Sequence, residues 1–70
     1  MERIAVSSRE IAVIGYDEKG QELEVTFRRG GVYLYRGVPT DIYQALMRAD
    51  SLGTYFSRNI KDAFEFEKIS

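Results

Sequence analysis

The chain has 70 residues, of which 44% are apolar and 13% aromatic, which is the composition of one small globular domain. It contains no cysteine and no histidine, which excludes disulfides, thiolate metal sites and the commonest general base. Its formal net charge of −1 argues against the strongly basic surface that is typical of tight nucleic-acid binding.

The first half of the chain is predicted to form strands. Ile11–Asp17 is apolar at nearly every position, as in a strand of the sheet interior. Glu22–Arg28 alternates between apolar and polar residues, and Val32–Arg36 is rich in residues that favour strands. A short strand at Arg3–Val6 would make a fourth.

The second half is predicted to form two helices and a short last strand. The first helix has Pro39 in its first turn, where a missing N–H costs nothing, and runs to about residue 49 or 50. Ser51 is a suitable N-cap for a second helix with its own apolar stripe. The tail alternates again and indicates a short strand at Phe64–Lys68.

This order of elements predicts a single α+β domain over residues 1–70. Its sheet is expected to be an antiparallel β-meander of three to four strands, with two C-terminal helices packed on one face. The predicted core consists of Ile14, Tyr16, Leu23, Val25, Phe27, Tyr33, Tyr35, Leu46, Phe56 and Ile60.

The direction of two tyrosines, Tyr33 and Tyr35, depends on the loop that precedes their strand, because a shift of one residue turns a strand over. A two-residue loop at Arg29-Gly30 would turn both rings outward, where they could stack on nucleobases. A three-residue loop, Arg29-Gly30-Gly31, would pair Phe27 with Tyr33 and turn both rings toward the core.

Charged residues favour the three-residue loop. It places Glu24 opposite Arg36, a favourable cross-strand pair, whereas the shorter loop places Arg36 opposite Leu23 on the core face. Gly31 also suits the left-handed position that follows a type I turn in such a loop. We therefore predict that the tyrosines face inward.

The stretches "SSREIAVIGYD", "LEVTF", "YLYRGVP" and "ALMRADSLGTYFSRNI" resemble, in this order, the KTSC domain, over about residues 6 to 66. That family is named for the C-terminus of some lysyl-tRNA synthetases and also occurs as small stand-alone bacterial proteins. One departure is Ser57, where the resemblance leads us to expect asparagine. The motif residues expected to serve the structure are Tyr33, Tyr35, Gly37, Pro39, Ser51 and Gly53.

The resemblance implies RNA as a ligand, because of the fusion to the synthetase, and the sequence offers cations for it. The segment from residue 25 to residue 40 has three arginines and no acid, and two further cations are expected on one face of the second helix. The alternative is a solvated surface whose arginines pair with neighbouring acids such as Glu24. The candidate RNA-binding residues are Arg28, Arg29, Arg36, Arg58 and Lys61.

No catalytic site is predicted, because the serines have no histidine to activate them. We therefore expect a non-catalytic binding module without metal, cofactor or small-molecule substrate. We also expect the protein to be cytoplasmic and to have no membrane segment. The alternative function is a protein-binding or self-associating module, which would use a sheet face carrying Ile11 and Val13. Gly53 is expected at the junction of the two helices, or else at a close backbone approach to a partner.

Overall fold

The computed structural model describes residues 1–70 and contains one antiparallel sheet of five strands in the order β1-β2-β3-β4-β5. The strands are β1 (Glu2–Ala5), β2 (Ile11–Asp17), β3 (Glu22–Phe27), β4 (Val32–Arg36) and β5 (Glu65–Lys68). Two helices, α1 (Thr40–Arg48) and α2 (Leu52–Asn59), connect β4 to β5. The α+β class is confirmed. The strand number is corrected from three or four to five, because both short terminal segments pair with the sheet.

Both tyrosines of β4 lie on the sheet face that the helices cover, as predicted. Tyr35 lies opposite Leu23 and is 3% exposed, and Tyr33 lies opposite Val25. Their neighbours on β3 are thus core residues, so the inward direction is confirmed.

The register of this hairpin differs from the prediction by two residues. The loop has three residues, but they are Arg28-Arg29-Gly30, because the Phe27 N–H donates to the Gly31 carbonyl at 3.0 Å and closes the loop one position early. A shift of two residues keeps every side chain on its face but changes its partner. The predicted pairing of Glu24 with Arg36 is therefore wrong, and Glu24 lies opposite Leu34 instead.

A β-bulge in β2 corrects a second expectation. The register with β3 shifts between Ile11, which pairs with Phe27, and Val13, which pairs with Thr26, so Ala12 is an extra residue. The bulge turns Ile11 into the core, where it is fully buried. Ile11 and Val13 therefore do not share an open face.

The helices and the sheet enclose one core. Tyr43 of α1 stacks on Tyr16 with ring centroids 4.2 Å apart, and Phe56 of α2 meets the rings of Phe27 and Tyr35 edge-on. The helices therefore pack on the same sheet face. The buried apolar residues are Ile11, Ile14, Leu23, Val25, Tyr35, Val38, Leu46, Phe56 and Ile60. Of these, only Ile11 and Val38 were not predicted, and the expected core residues Tyr16, Phe27 and Tyr33 are half-buried against the cluster.

Both helix starts use the predicted residues. Ser51 is the N-cap of α2, and its hydroxyl accepts a hydrogen bond from the Thr54 N–H at 3.3 Å. Pro39 is the N-cap of α1 rather than a residue of its first turn. Neither helix has the length and apolar composition of a membrane span.

Candidate nucleic-acid interface

The tip of the β3–β4 hairpin is a tight loop that presents Arg29 to solvent. The Gly30 N–H donates to the Phe27 carbonyl at 3.0 Å, and both Gly30 and Gly31 have positive φ angles, 112° and 96°. Glycine adopts these angles without the steric penalty of a side chain, so the loop can close directly after Arg29.

A groove of about 410 Å³ lies beside this tip. We call it the hairpin groove, and it is lined by Glu10, Phe27, Arg29, Gly30, Tyr33 and Lys61. Lys61 reaches it because α2 ends at Asn59 and the chain turns, with the Lys61 N–H bonded to the Phe56 carbonyl. Two cations from distant parts of the sequence thus line one groove.

The wall of the hairpin groove is aromatic and continues onto β5. The rings of Phe27 and Tyr33 meet edge-on with centroids 5.4 Å apart. Beyond them Phe66, which lies opposite Tyr35, has its ring 5.9 Å from Tyr33 and 5.2 Å from Tyr35. Phe66 is 52% exposed, so this row of rings ends in solvent.

A third cation adjoins the row. Lys68 lies opposite Tyr33, and its side chain passes over Gly31, where a Cβ atom would lie 3.6 Å from the Lys68 Cε. All ion pairs of the chain involve Arg3 or Arg36, so Arg29, Lys61 and Lys68 form none.

Acids also approach this surface, and they limit its positive charge. Glu10 lines the hairpin groove. Burial raises the pKa of the Tyr35 hydroxyl, and the nearby Tyr33 and Asp62 raise it further, so Asp62 lies close to this surface. Glu65 and Glu67 alternate with Phe66 along β5 and therefore lie on the opposite sheet face.

Two of the predicted RNA-binding arginines make contacts within the chain. The Arg28 guanidinium donates to the carbonyls of Ser8 at 2.5 Å and Val6 at 3.0 Å, so it ties the β1–β2 loop to the hairpin. Arg36 lies at the other end of β4, paired with Glu67 and 3.9 Å from Glu22. The five candidates therefore do not form one patch.

The remaining candidate, Arg58, is exposed in the last turn of α2. Because Lys61 follows the end of α2, the two cations do not share a continuous helical face, contrary to the expectation from their spacing. The structure brings Arg29 and Lys61 together in the hairpin groove. Arg58 does not line the groove and precedes Lys61 by three residues, in the last turn of α2.

A second groove of about 410 Å³ joins the β1–β2 loop to the start of α2. It brings together motif residues that are distant in sequence, because Ser7 and Ser8 face Ser51 and Gly53. A Cβ atom at Gly53 would lie 3.5 Å from the Glu10 Oε1 and 3.6 Å from the Ser8 Oγ, which are ordinary contact distances. Gly53 has no positive φ angle, so no strained helix junction requires it.

The remaining motif residues support the turn between β4 and α1. Gly37 has a φ angle of 75°, which favours glycine, and the fully buried Val38 follows it. The Val38 carbonyl accepts a hydrogen bond from the Tyr16 hydroxyl at 2.6 Å, which fixes this turn against β2.

Phe66 and Lys68 adjoin this surface but are not among the candidate residues predicted from the sequence. The alternation of the tail placed Phe64, Phe66 and Lys68 on one face, but it did not show which strand they join. Pairing of β5 with β4 is what places Phe66 and Lys68 beside the two tyrosines.

The chain matches the family model described as "KTSC domain" over residues 7–64. A crystal structure of a KTSC domain protein from Yersinia pestis superposes with a TM-score of 0.95 at 43% identity, covering 99% of this chain and 97% of that one. An uncharacterized protein of Stutzerimonas stutzeri is 44% identical over 61 residues, which cover 87% of this chain and 86% of that protein.

A longer relative carries the same segment. A lysine–tRNA ligase of Nostoc punctiforme is 38% identical over 60 residues, which are 86% of this chain but 11% of the ligase. The chain is thus similar to a small part of that enzyme.

Proposed function

The chain belongs to the KTSC domain family, and from this premise we propose that it is a non-catalytic binding module whose ligand is RNA. The observation that carries the proposal is the hairpin groove, which Arg29 and Lys61 line together with the rings of Phe27 and Tyr33. Cations beside aromatic rings are the combination by which proteins hold the phosphates and bases of single strands.

Two further facts support this proposal. A similar segment occurs in a protein whose name gives tRNA as what it acts on. The cations of the groove have no carboxylate partner, whereas Arg36 and Arg3 do, so Arg29 and Lys61 remain available to an external anion.

The non-catalytic part of the proposal rests on the chemistry of the side chains. Without histidine or cysteine, a nucleophile or general base would have to come from a carboxylate, lysine or tyrosine. The carboxylate whose pKa is lowered, Glu24, is hydrogen-bonded to Arg3 on the sheet face opposite the hairpin groove. Its role is thus an internal ion pair.

The expected binding is modest and depends on salt, because only a few phosphates are contacted. Contacts from Arg29, Arg58 and Lys61 to three phosphates of a single strand give a slope of about −2 for the logarithm of affinity against that of salt. Raising the salt from about 50 to about 200 mM should then weaken binding about 20-fold.

The test is a fluorescence-anisotropy titration of labelled, unstructured RNA and of tRNA with the wild type and the double variant Arg29→Gln/Lys61→Gln. We expect the double variant to lose about tenfold or more in affinity at low salt and to reduce the slope by about 1.4, that is, by two phosphate contacts. The matched control is the double variant Arg3→Gln/Arg36→Gln, which also removes two positive charges but from the opposite sheet face. Absence of wild-type binding at low salt, or equal losses in the double variant and the control, would contradict the proposal.

One of the two residues predicted for a self-associating surface, Ile11, is not available to a partner. Ile11 is buried, so only Val13 of the expected pair lies on the open sheet face. Sedimentation of the wild type before the titration would show whether a dimer forms and whether Val13→Asp dissociates it.

A further inference from the structure

The exposed ring of Phe66 is out of place for a residue on the covered face of the sheet. Phe66 lies on the face that holds Tyr33 and Tyr35, yet it is 52% exposed. Phe56 of α2 contacts Phe27 and Tyr35, so the cover provided by α2 ends before β5. Phe66 continues the row of rings formed by Phe27 and Tyr33, and contiguous exposed apolar surface often marks a binding site.

The chain holds this ring on one side only. The Tyr33 and Tyr35 rings support it at centroid distances of 5.9 and 5.2 Å and tilts of 52° and 32°. Phe66 thus packs on two tyrosine rings of β4 while much of its surface remains in water. A half-exposed ring that already packs on its neighbours presents a flat apolar surface and costs less side-chain entropy to order on binding than an unsupported ring.

The charges around the ring select the occupant. Lys68, two residues along β5, shares the face of Phe66, and Arg29 and Lys61 line the hairpin groove together with Tyr33. These three cations have no ion-pair partner, and the acids that approach the surface are Glu10 and Asp62. A flat ring flanked by unpaired cations is complementary to a nucleobase with its neighbouring phosphates.

We infer that Phe66 and Tyr33 form a stacking platform for unpaired bases, with Lys68 as an additional phosphate contact, so that the ligand is single-stranded RNA. This inference rests on the proposed function and narrows it. A base within an A-form duplex has both of its faces covered by neighbouring bases, so only a single strand, a loop or an end can stack on Phe66. The platform adjoins the hairpin groove through Tyr33, so one strand can cross both.

The test compares one labelled RNA of about ten nucleotides, as a single strand and annealed to its complement, with wild type, Phe66→Leu and Lys68→Gln. We expect Phe66→Leu to weaken single-strand binding about fivefold or more, since stacking of one base contributes at least that factor. Its duplex binding should be unchanged. Lys68→Gln should reduce the single-strand salt slope by about 0.7, the contribution of one phosphate.

Two matched controls separate these effects from general ones. Ile4→Ala removes an exposed apolar side chain at the opposite edge of the sheet, and Lys19→Gln removes an exposed charge from the β2–β3 turn. Neither should change affinity. Thermal unfolding shows which variants keep the fold, and Lys68→Gln, which alters no packed ring, tests the platform even if Phe66→Leu is unstable.

The outcomes distinguish this inference from the proposed function. RNA binding that is weakened by Arg29→Gln/Lys61→Gln but not by Phe66→Leu or Lys68→Gln would overturn the platform and leave the proposed function standing. Equal wild-type affinity for the single strand and the duplex would also overturn the platform. A wild-type dimer that Phe66→Leu converts to a monomer would assign the ring to a protein interface, and absence of all RNA binding would overturn both proposals.

Discussion

Tyr35 and Tyr33 lie two residues apart on the same face of the same strand, yet they have different surroundings. Tyr35 is 3% exposed beneath Phe56 of α2, whose ring meets it edge-on at 5.3 Å. Tyr33 lies beyond that helix, half-buried between Phe27 and Phe66. The direction of a side chain from a sheet therefore does not decide whether it belongs to the core or to a surface. What decides is how far the covering helix extends.

The first prediction concerns this pair and has the largest expected effect. Tyr35→Ala should reduce the free energy of unfolding by about 3–5 kcal/mol, the usual cost of truncating a buried aromatic residue. Tyr33→Ala should cost about half as much, because folding of the chain buries less apolar area of Tyr33 than of Tyr35. Urea denaturation followed by circular dichroism measures both values.

Two outcomes decide this prediction. Equal costs for the two variants would show that cover by α2 does not separate the tyrosines. Tyr35→Phe serves as the control, since it keeps the ring and removes only the hydroxyl. It should therefore retain most of the stability that Tyr35→Ala loses.

The strand faces were predictable because alternation in β3 and β4 is strict. Leu23, Val25 and Tyr35 follow from this two-residue period, and a register error of two residues leaves them on the same face. The register itself depends on where the hairpin loop closes, which is the hydrogen bond from the Phe27 N–H to the Gly31 carbonyl. That choice depends on the energies of competing loops, which alternation does not report.

The bulge in β2 and the extent of the helices were not predictable from pattern. A run that is apolar at every position gives no sign that Ala12 is an extra residue, so Ile11 was expected on the wrong face. The partner of β5 was equally hidden, because a short alternating tail fits either edge of a sheet. The roles of the arginines were not predictable from the pattern either. Only the structure shows that Arg28 binds two backbone carbonyls while Arg29 does not.

The second prediction concerns Glu24, which is buried on the sheet face that no helix covers. It is 8% exposed although no helix covers it, because the Arg3 guanidinium lies over it with the Nε 2.7 Å from the carboxylate Oε2. That hydrogen bond lowers the pKa of Glu24, while burial opposes the shift. An internal ion pair thus covers the carboxylate on this face.

The pair should make stability depend on pH. Because the pKa of Glu24 is lower in the folded chain than in the unfolded one, its contribution is present above the unfolded pKa and is lost as the pH falls through the folded pKa. Arg3→Gln should therefore lower stability near neutral pH and leave it nearly unchanged in strong acid. Urea denaturation of both proteins across the acid range measures this difference.

Arg36→Gln is the matched control for this prediction. It removes the same group from an arginine whose partners, Glu22 and Glu67, are more exposed than Glu24. Its acid dependence should stay close to that of the wild type. The same acid dependence in all three proteins would show that the pair of Arg3 and Glu24 does not stabilise the folded chain.

The smallest expected effect concerns α2, the helix that makes the difference between the two tyrosines. Its first turn contacts the β1–β2 loop at Gly53, where a Cβ atom would meet Glu10 and Ser8 at 3.5 and 3.6 Å. Gly53 has a helical backbone without a positive φ, and alanine favours the helix more than glycine does. Gly53→Ala should therefore leave stability within about 0.5 kcal/mol of the wild type, on the stabilising side.

Gly37 is the matched comparison for Gly53, because its backbone conformation rather than its surroundings disfavours a side chain. Its φ angle of 75° disfavours a side chain although the space around it is open, so Gly37→Ala should cost about 1 kcal/mol or more. Both variants are measured by thermal and urea denaturation against the wild type. A larger loss at Gly53 than at Gly37 would mean that the β1–β2 loop cannot yield to a methyl group. Close approach of that loop, rather than backbone conformation, would then explain the glycine.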